Sequence, residues 1–349
     1  MDLLPSSEHL SEETGVSGGR LKIFTWHIHG SYLYYLSQGD YDLYIPVNKE
    51  KSEGYYGRGN TFPFGQNVIE IDAEEVENFE FDCILFQTNQ NYLTDQFDIL
   101  SEKQRALPKI YLEHDPPREH PTNTKHFVDD PSVRLVHVTY FNKLMWDNNR
   151  TPATVIEHGV TDSGVHYSGS TERGLVVINN LSQRGRLLGL DLFKDVSSLI
   201  PLDLVGMGTE DLGLGEILHP QLPAFTSKYR FFFHPIRYTS LGLAVLEAMM
   251  IGIPVVGLAT TELSTVIRNG TNGYIHTDVD YLIEKMQRLL ADPKLAFRLG
   301  QEGRRTALER FNILRFTSQW QKLFEEVVLA SSHSPATTKT SVHSYTSGL

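Results

Sequence analysis

The sequence predicts an α/β protein built from two doubly wound domains, and three observations carry that prediction. Short apolar runs alternate with helical segments from residue 21 to residue 329, the pattern of a parallel sheet with crossover helices. A Ser-, Gly- and Thr-rich stretch without apolar period, residues 161–174, reads as a linker between a first domain (20–160) and a second (175–312). The 349 residues suffice for two cores of ordinary size.

Residues 1–19 are polar, end in Ser17-Gly18-Gly19 and read as a loose lead-in without the apolar core of a signal peptide. Residues 21–26 form the first predicted strand. Its exit, His27-Ile28-His29-Gly30-Ser31, leads into the aromatic run 32–36, the expected start of a helix packed on the sheet. Ligands of open α/β sheets bind beyond the carboxyl ends of strands, so this exit is a candidate site. Residues 42–46 are the second strand, and 50–66, rich in Gly, Tyr and charge, a long surface loop. Further strands are expected at 82–87, 108–112, 133–139 and 154–156, with a helix over 93–105. The strand 108–112 runs out into Glu113-His114-Asp115-Pro116-Pro117.

In the second domain, a strand at 175–178, a loop 179–189 and a helix 190–199 precede a strand at 202–205 that closes on Gly206-Met207-Gly208. The stretch 230–273 is the most informative. Strand runs at 230–233 and 254–258 flank residues 241–251, apolar at nearly every position and therefore expected to be buried on all sides. Glu247 is the one charged residue there, and a carboxylate in a dry helix is costly unless donors or a cation meet it. The turn Arg237-Tyr238-Thr239-Ser240-Leu241-Gly242 offers hydroxyl caps, a glycine and free backbone N–H groups, the makings of an anion site. Helices follow at 281–290, capped by Asp278, and at 294–310 and 313–329, and the Ser/Thr-rich tail 331–349 is expected to be disordered.

Bulk properties narrow the function. A net charge of −12 argues against a nucleic-acid partner. Cys83, the single cysteine, excludes an intrachain disulfide and a zinc cysteine cluster, and its place in an apolar strand makes it packing. No apolar run approaches the ~20 residues of a membrane span, although peripheral membrane contact stays open. The expectation is a cytoplasmic enzyme or binding protein. No Gly-x-Ser-x-Gly elbow and no P-loop is present, which disfavours hydrolase and phosphate-transfer chemistry. His120 and His126 lie near His114 with spacing unlike a compact zinc site, so no metal is expected.

The stretch 230–273 resembles the carboxyl-terminal signature of GT-B glycosyltransferases, especially the retaining family-4 (group 1) type. Leu241-Gly242-Leu243, Leu246-Glu247-Ala248-Met249, Gly252-Ile253-Pro254-Val255-Val256 and Gly270-Thr271-Asn272-Gly273 match in order and spacing. The resemblance implies two Rossmann-like domains facing a cleft, with the last helix (313–330) crossing back to the first domain. It implies a nucleotide-sugar co-substrate, no tightly bound cofactor, and a glycan, lipid or small-molecule acceptor. Glu247 would then hold two ribose hydroxyls, while Ser240, Leu241 and Gly242 would receive the diphosphate with Arg184, Arg186 and Gly206. His114 would face the transferred sugar, and His27, His29 and Gly30 would form the acceptor or phosphate loop. Two departures stand out. Thr239 occupies the place of the family's first acid, and Leu188 stands before Gly189 where a lysine is usual. They keep two alternatives open, a nucleotide-sugar 2-epimerase of the same fold and a non-catalytic sugar-nucleotide-binding protein. Arg184 and Arg186 as solvated turn residues, and His114 as a histidine tied into a proline turn, are the plainer readings.

Overall fold

The structure is a computed structural model that describes residues 19–332. The expected lead-in up to residue 18 and the tail from residue 333 lie outside the described residues. The first lobe runs β1 (Leu21–Thr25), α1 (Gly30–Leu36), β2 (Tyr41–Val47), β3 (Val68–Asp72), β4 (Cys83–Phe86), α2 (Gln96–Ile99), α3 (Glu102–Arg105), β5 (Lys109–Glu113), β6 (Val133–His137), α4 (Tyr140–Met145) and β7 (Ala153–Val155). Its seven strands are all parallel, in the order β3-β2-β1-β4-β5-β6-β7.

The second lobe continues with β8 (Thr171–Val177), α5 (Leu181–Arg184), α6 (Leu190–Ser197), β9 (Leu202–Val205), α7 (Leu222–Thr226), β10 (Tyr229–His234), α8 (Leu243–Ile251), β11 (Val255–Leu258), α9 (Leu263–Val266), β12 (Gly273–His276), α10 (Val279–Ala291), α11 (Pro293–Arg310) and α12 (Ile313–Ser332). Its five parallel strands take the order β12-β11-β10-β8-β9. The central β10 is buried at every position. Each of Phe231, Phe232 and Phe233, at 0–1% exposed, contributes about 2 kcal/mol through burial.

Strand order reverses between β1 and β4 in the first sheet and between β8 and β10 in the second. At such switch points the neighbouring crossovers leave on opposite faces and a crevice opens beyond the strand ends. The loops after β1, β4, β8 and β10 are therefore the ones the fold places around ligands.

α12 ties the lobes together. Trp320 donates its indole N–H to the Tyr32 hydroxyl of α1 (3.1 Å), and Phe324 packs edge-on against Tyr41 (4.9 Å). Arg310 of α11 reaches Glu157 in the connector (2.6 Å) and the buried Glu262 (3.3 Å). The second oxygen of Glu262 accepts from the backbone N–H of Phe141 in α4 (2.8 Å), so one carboxylate fastens both lobes.

Several elements differ from expectation. β3 was not anticipated, because its Val-Ile-Glu-Ile-Asp edge strand is half exposed and carries two acids. β12 begins on Gly273, the residue that closes the predicted turn. The helix expected over 93–105 is broken, since Ser101 and Gln104 form a reciprocal capping box that starts α3 afresh. β8 starts at Thr171, so the last four residues of the predicted linker are strand. Residues 331 and 332, expected in the tail, complete α12.

Candidate functional site

α8 places Glu247 on an interlobe cavity of about 300 Å³. Ala244, Glu247, Ala248 and Ile251 recur at i, i+3, i+4 and i+7, so one face of the helix lines the cavity while Val245, Leu246 and Met249 enter the core. The helix is thus not buried on all sides, as its composition predicted. Hydropathy alone does not reveal a face lined by alanines and one acid. Tyr35 of α1 donates its hydroxyl to Glu247 Oε1 (2.7 Å), and His219 Nε2 stands 3.6 Å from the same oxygen. The costly carboxylate is therefore met by a donor from the other lobe, with the His219 ring close by.

The start of α8 also departs from expectation. Gly242 is the cap residue, with extended backbone (φ −65°, ψ 133°), and no side chain caps the helix. Thr239 and Ser240 are half-buried and supply no cap, leaving the first amides of α8 without a side-chain partner. A Cβ at Gly242 would meet only the His234 ring, at an ordinary 3.7 Å. The protein itself does not demand glycine there.

Opposite this turn lie the strand ends of the first lobe. His29 and His114 pack ring on ring at 4.0 Å, and Tyr32 meets His114 edge-on at 4.9 Å. The Gln87 amide donates to the Trp26 carbonyl (2.8 Å) and the Thr25 hydroxyl (3.0 Å). Its carbonyl oxygen thus faces His114 Nε2 (3.2 Å), so that nitrogen carries the proton and Nδ1 keeps the lone pair. Burial, then the neighbouring His29 and His158, hold His114 well below the ordinary histidine pKa. His29, although exposed to the cleft, is lowered too, by partial desolvation from the protein around it, against the pull of Asp115. Both rings are neutral near pH 7.

Of the predicted basic residues, Arg184 and Arg186 part company. The side chain of Arg184, the last residue of α5, forms no hydrogen bond or ion pair among the described residues. Withdrawal from water and the like charge of Arg118 lower its pKa, against the pull of Asp115. Arg186 turns away and pairs with Asp191, which also holds Arg237 (2.6 Å), and its side chain is 75% exposed. Gly206 is tied into the backbone. Its φ is +150°, its N–H reaches the Gly215 carbonyl (2.9 Å), and a Cβ would fall 2.3 Å from the Ile178 carbonyl oxygen.

His27 and Gly30 build the loop rather than line the cavity. His27 Nδ1 donates to the Gly57 carbonyl (2.5 Å) and its ring meets Phe64 edge-on at 5.6 Å, anchoring the loop 50–66. Burial lowers its pKa. Gly30 opens α1 where a Cβ would strike the Phe62 ring at 2.4 Å.

Sequence reasoning missed Tyr35 and His219. His219 inserts between Tyr34 (5.1 Å) and Phe62 (5.0 Å), docking the loop after β9 on the first lobe. Nothing in the spacing of these residues announces the contact. It missed Arg118 as well, which pairs with Asp115 (2.8 Å) just past the β5 exit. Next to it, the Pro117 carbonyl accepts from the Tyr238 hydroxyl of the second lobe (3.1 Å).

Among the described residues no group of three His, Cys, Asp or Glu side chains converges to hold a metal ion, and no helix is long and apolar enough to cross a membrane.

Comparison with known proteins agrees with this picture. Residues 211–292 match the family described as Glycosyl transferases group 1, a segment that brackets 230–273. The chain is 30% identical over 91 residues to N-acetyl-alpha-D-glucosaminyl L-malate synthase of Bacillus anthracis, covering 26% of this chain and 24% of that enzyme. The chain thus spans about a quarter of that relative's length. Among solved structures it resembles the sucrose-phosphate synthase from Thermosynechococcus elongatus (TM-score 0.68, 15% identity), covering 89% of this chain and 100% of that one. It also resembles Anabaena HepE in complex with UDP-glucose (TM-score 0.65, 14% identity), covering 88% of this chain and 100% of that one. These likenesses establish the fold, two facing Rossmann-like domains of the GT-B kind.

Proposed function

We propose that the chain is a glycosyltransferase that moves a sugar from a nucleotide-sugar donor to an acceptor hydroxyl with retention of anomeric configuration. The observation that carries this reading is Glu247 facing the interlobe cavity about one helical turn from uncapped amides, inside a segment that matches a glycosyltransferase family. HepE, which has a similar fold, was solved in complex with UDP-glucose, and that complex supports a nucleotide-sugar as the donor class.

Glu247 accepts from two ribose hydroxyls, with Tyr35 orienting the carboxylate through Oε1. The diphosphate sits before Gly242, where the amides of α8 and the helix dipole face it. The acceptor hydroxyl oxygen bonds to the anomeric carbon from the face the diphosphate leaves, the electron pair of the broken bond departs with the diphosphate oxygen, and that oxygen takes the acceptor's proton. Arg184 and the amides stabilise the charge that develops there. Neutral His114 and the Thr239 hydroxyl contact the sugar, and His29 lies beside the acceptor. The acceptor approaches from the first lobe, and a reducing cytoplasmic setting suits the single buried thiol of Cys83.

Incubation with a panel of nucleotide-sugars tests the reading. Donor hydrolysis or transfer is the expected result. Isomerised donor would make the chain an epimerase instead. Binding without turnover would support a sugar-nucleotide-binding protein, the reading that Thr239 and Leu188, in place of the family's acid and lysine, favour.

A further inference from the structure

A departing diphosphate carries more charge than one arginine neutralises, and the second lobe supplies little more. Leu188 is buried and apolar where a cation is usual, and Arg186 is paired with Asp191 outside the cavity. The first lobe does supply one. Arg118 follows Pro117, whose carbonyl takes the hydroxyl of Tyr238 at 3.1 Å, and Tyr238 immediately precedes Thr239 in the turn that opens α8. That hydrogen bond fixes the backbone before Arg118 against the backbone before the uncapped amides. Phe141 packs edge-on against Tyr238 at 6.0 Å, and Trp146 donates to the Asp115 carbonyl at 2.8 Å, so the loop 114–118 is braced from α4 and its exit. On the other side of that turn the Leu187 carbonyl accepts from the Arg237 backbone N–H (3.1 Å), so the segment that follows Arg184 joins the same turn, and Arg118 acts electrostatically on Arg184. Facing them, Asp115 is the acid that acts on Arg184, and Arg118 already holds it at 2.8 Å. Two guanidiniums and the open end of a helix thus face a single carboxylate, an imbalance that an anion completes.

We propose that Arg118, reaching from the first lobe, is the second cation of the donor diphosphate site and, with Arg184, replaces the positive charge absent at Leu188. The assignment rests on the transferase reading and makes the site a joint product of both lobes. A diphosphate drawn between Arg184 and Arg118 bonds to one lobe through each, so donor binding holds the cleft shut. Asp115 keeps Arg118 aimed at the cleft and yields part of it when the ligand arrives.

The test is calorimetric titration of the full chain with uridine, guanosine, adenosine, cytidine and thymidine diphosphates and with the matching nucleosides. Arg118→Ala is expected to weaken the preferred nucleoside diphosphate by about tenfold to thirtyfold, the loss of a charge-assisted contact, and to leave its nucleoside within about twofold. Arg118→Lys should recover part of the loss. Asp115→Asn, which frees the guanidinium, should strengthen diphosphate binding, a sign that a purely structural role would not give. Arg118 is half exposed, so its replacement leaves the fold intact, which the melting curve checks. Unchanged diphosphate affinity in Arg118→Ala, alongside a loss in Arg184→Ala, overturns the Arg118 assignment alone. Equal weakening of nucleoside and nucleoside diphosphate also overturns it, in favour of lobe docking. If the unsubstituted chain binds no nucleoside diphosphate, the transferase reading falls with it.

Discussion

Among the described residues the hydroxyl of Tyr35 makes the one direct hydrogen bond from the first lobe to the carboxylate on which the proposed donor site turns, and a double-mutant cycle measures it. Tyr35 is 2% exposed and Glu247 keeps 18% of its side chain open, with 2.7 Å between hydroxyl and carboxylate oxygen. A hydrogen bond to a charged acceptor contributes about 1.5–3 kcal/mol, and the open side of Glu247 moves the expectation to the lower end, about 1.5 kcal/mol. Tyr35→Phe keeps the ring among Tyr34 and His219 and removes only the donor. Glu247→Gln keeps the shape and removes the charge. Chemical denaturation of both single variants and the double should give a coupling energy of about 1 kcal/mol or more, with Tyr35→Phe alone melting about 2 °C lower. The lobes must unfold in one transition for the cycle to be read this way, which coincident near- and far-ultraviolet signals establish. Coupling within about 0.3 kcal/mol of zero would refute the reasoning, because the two groups would then be neighbours without mutual dependence.

Three further outcomes follow from the geometry. Gly242→Ala should fold normally, since its Cβ meets only the His234 ring at 3.7 Å, yet weaken nucleoside diphosphate binding by about tenfold or more; calorimetry beside a melting curve checks both halves. Arg310→Ala should cost ~2–3 kcal/mol in denaturant unfolding, because it leaves Glu262, at 2% side-chain exposure, without its cation. Stability should fall as pH drops from about 6.5 toward 4. Burial lowers the pKa of His137, His158 and His234 to about 4 each, so the unfolded chain takes up protons that the folded chain refuses. Their contribution is whole above the unfolded value and lost progressively below it, at up to ~4 kcal/mol per pH unit for three groups. Melting temperatures across that range, with His234→Asn flattening the slope, test the sign.

The sequence carried the architecture because the signals it contains are local. Strand runs and helical periods recur along the chain, and the stretch 230–273 puts Glu247, Gly242 and two strands in one continuous window. The candidate site was legible in place, though not in role, where its residues sit at strand ends. His29 and His114 were read from their place after β1 and β5, and the fold brings their rings to 4.0 Å. It was illegible where a contact joins distant parts of the chain. Tyr35 and Glu247 stand 212 positions apart, and His219 lies in a loop whose docking depends on Phe62 and Tyr34. The surroundings of Arg186 were illegible for the opposite reason, since its partner is a nearby acid, Asp191, five positions on. The reading of Thr239 and Ser240 as caps failed because the helix begins two residues later than its apolar run, at Leu243 rather than Leu241.

A crystal soaked with a nucleoside diphosphate measures the central claim most directly. The predicted result is a ribose with both hydroxyls on Glu247 and a diphosphate before Gly242, against the first amides of α8. A nucleotide bound elsewhere, or a cavity at Glu247 that stays empty at saturating concentration, would contradict it.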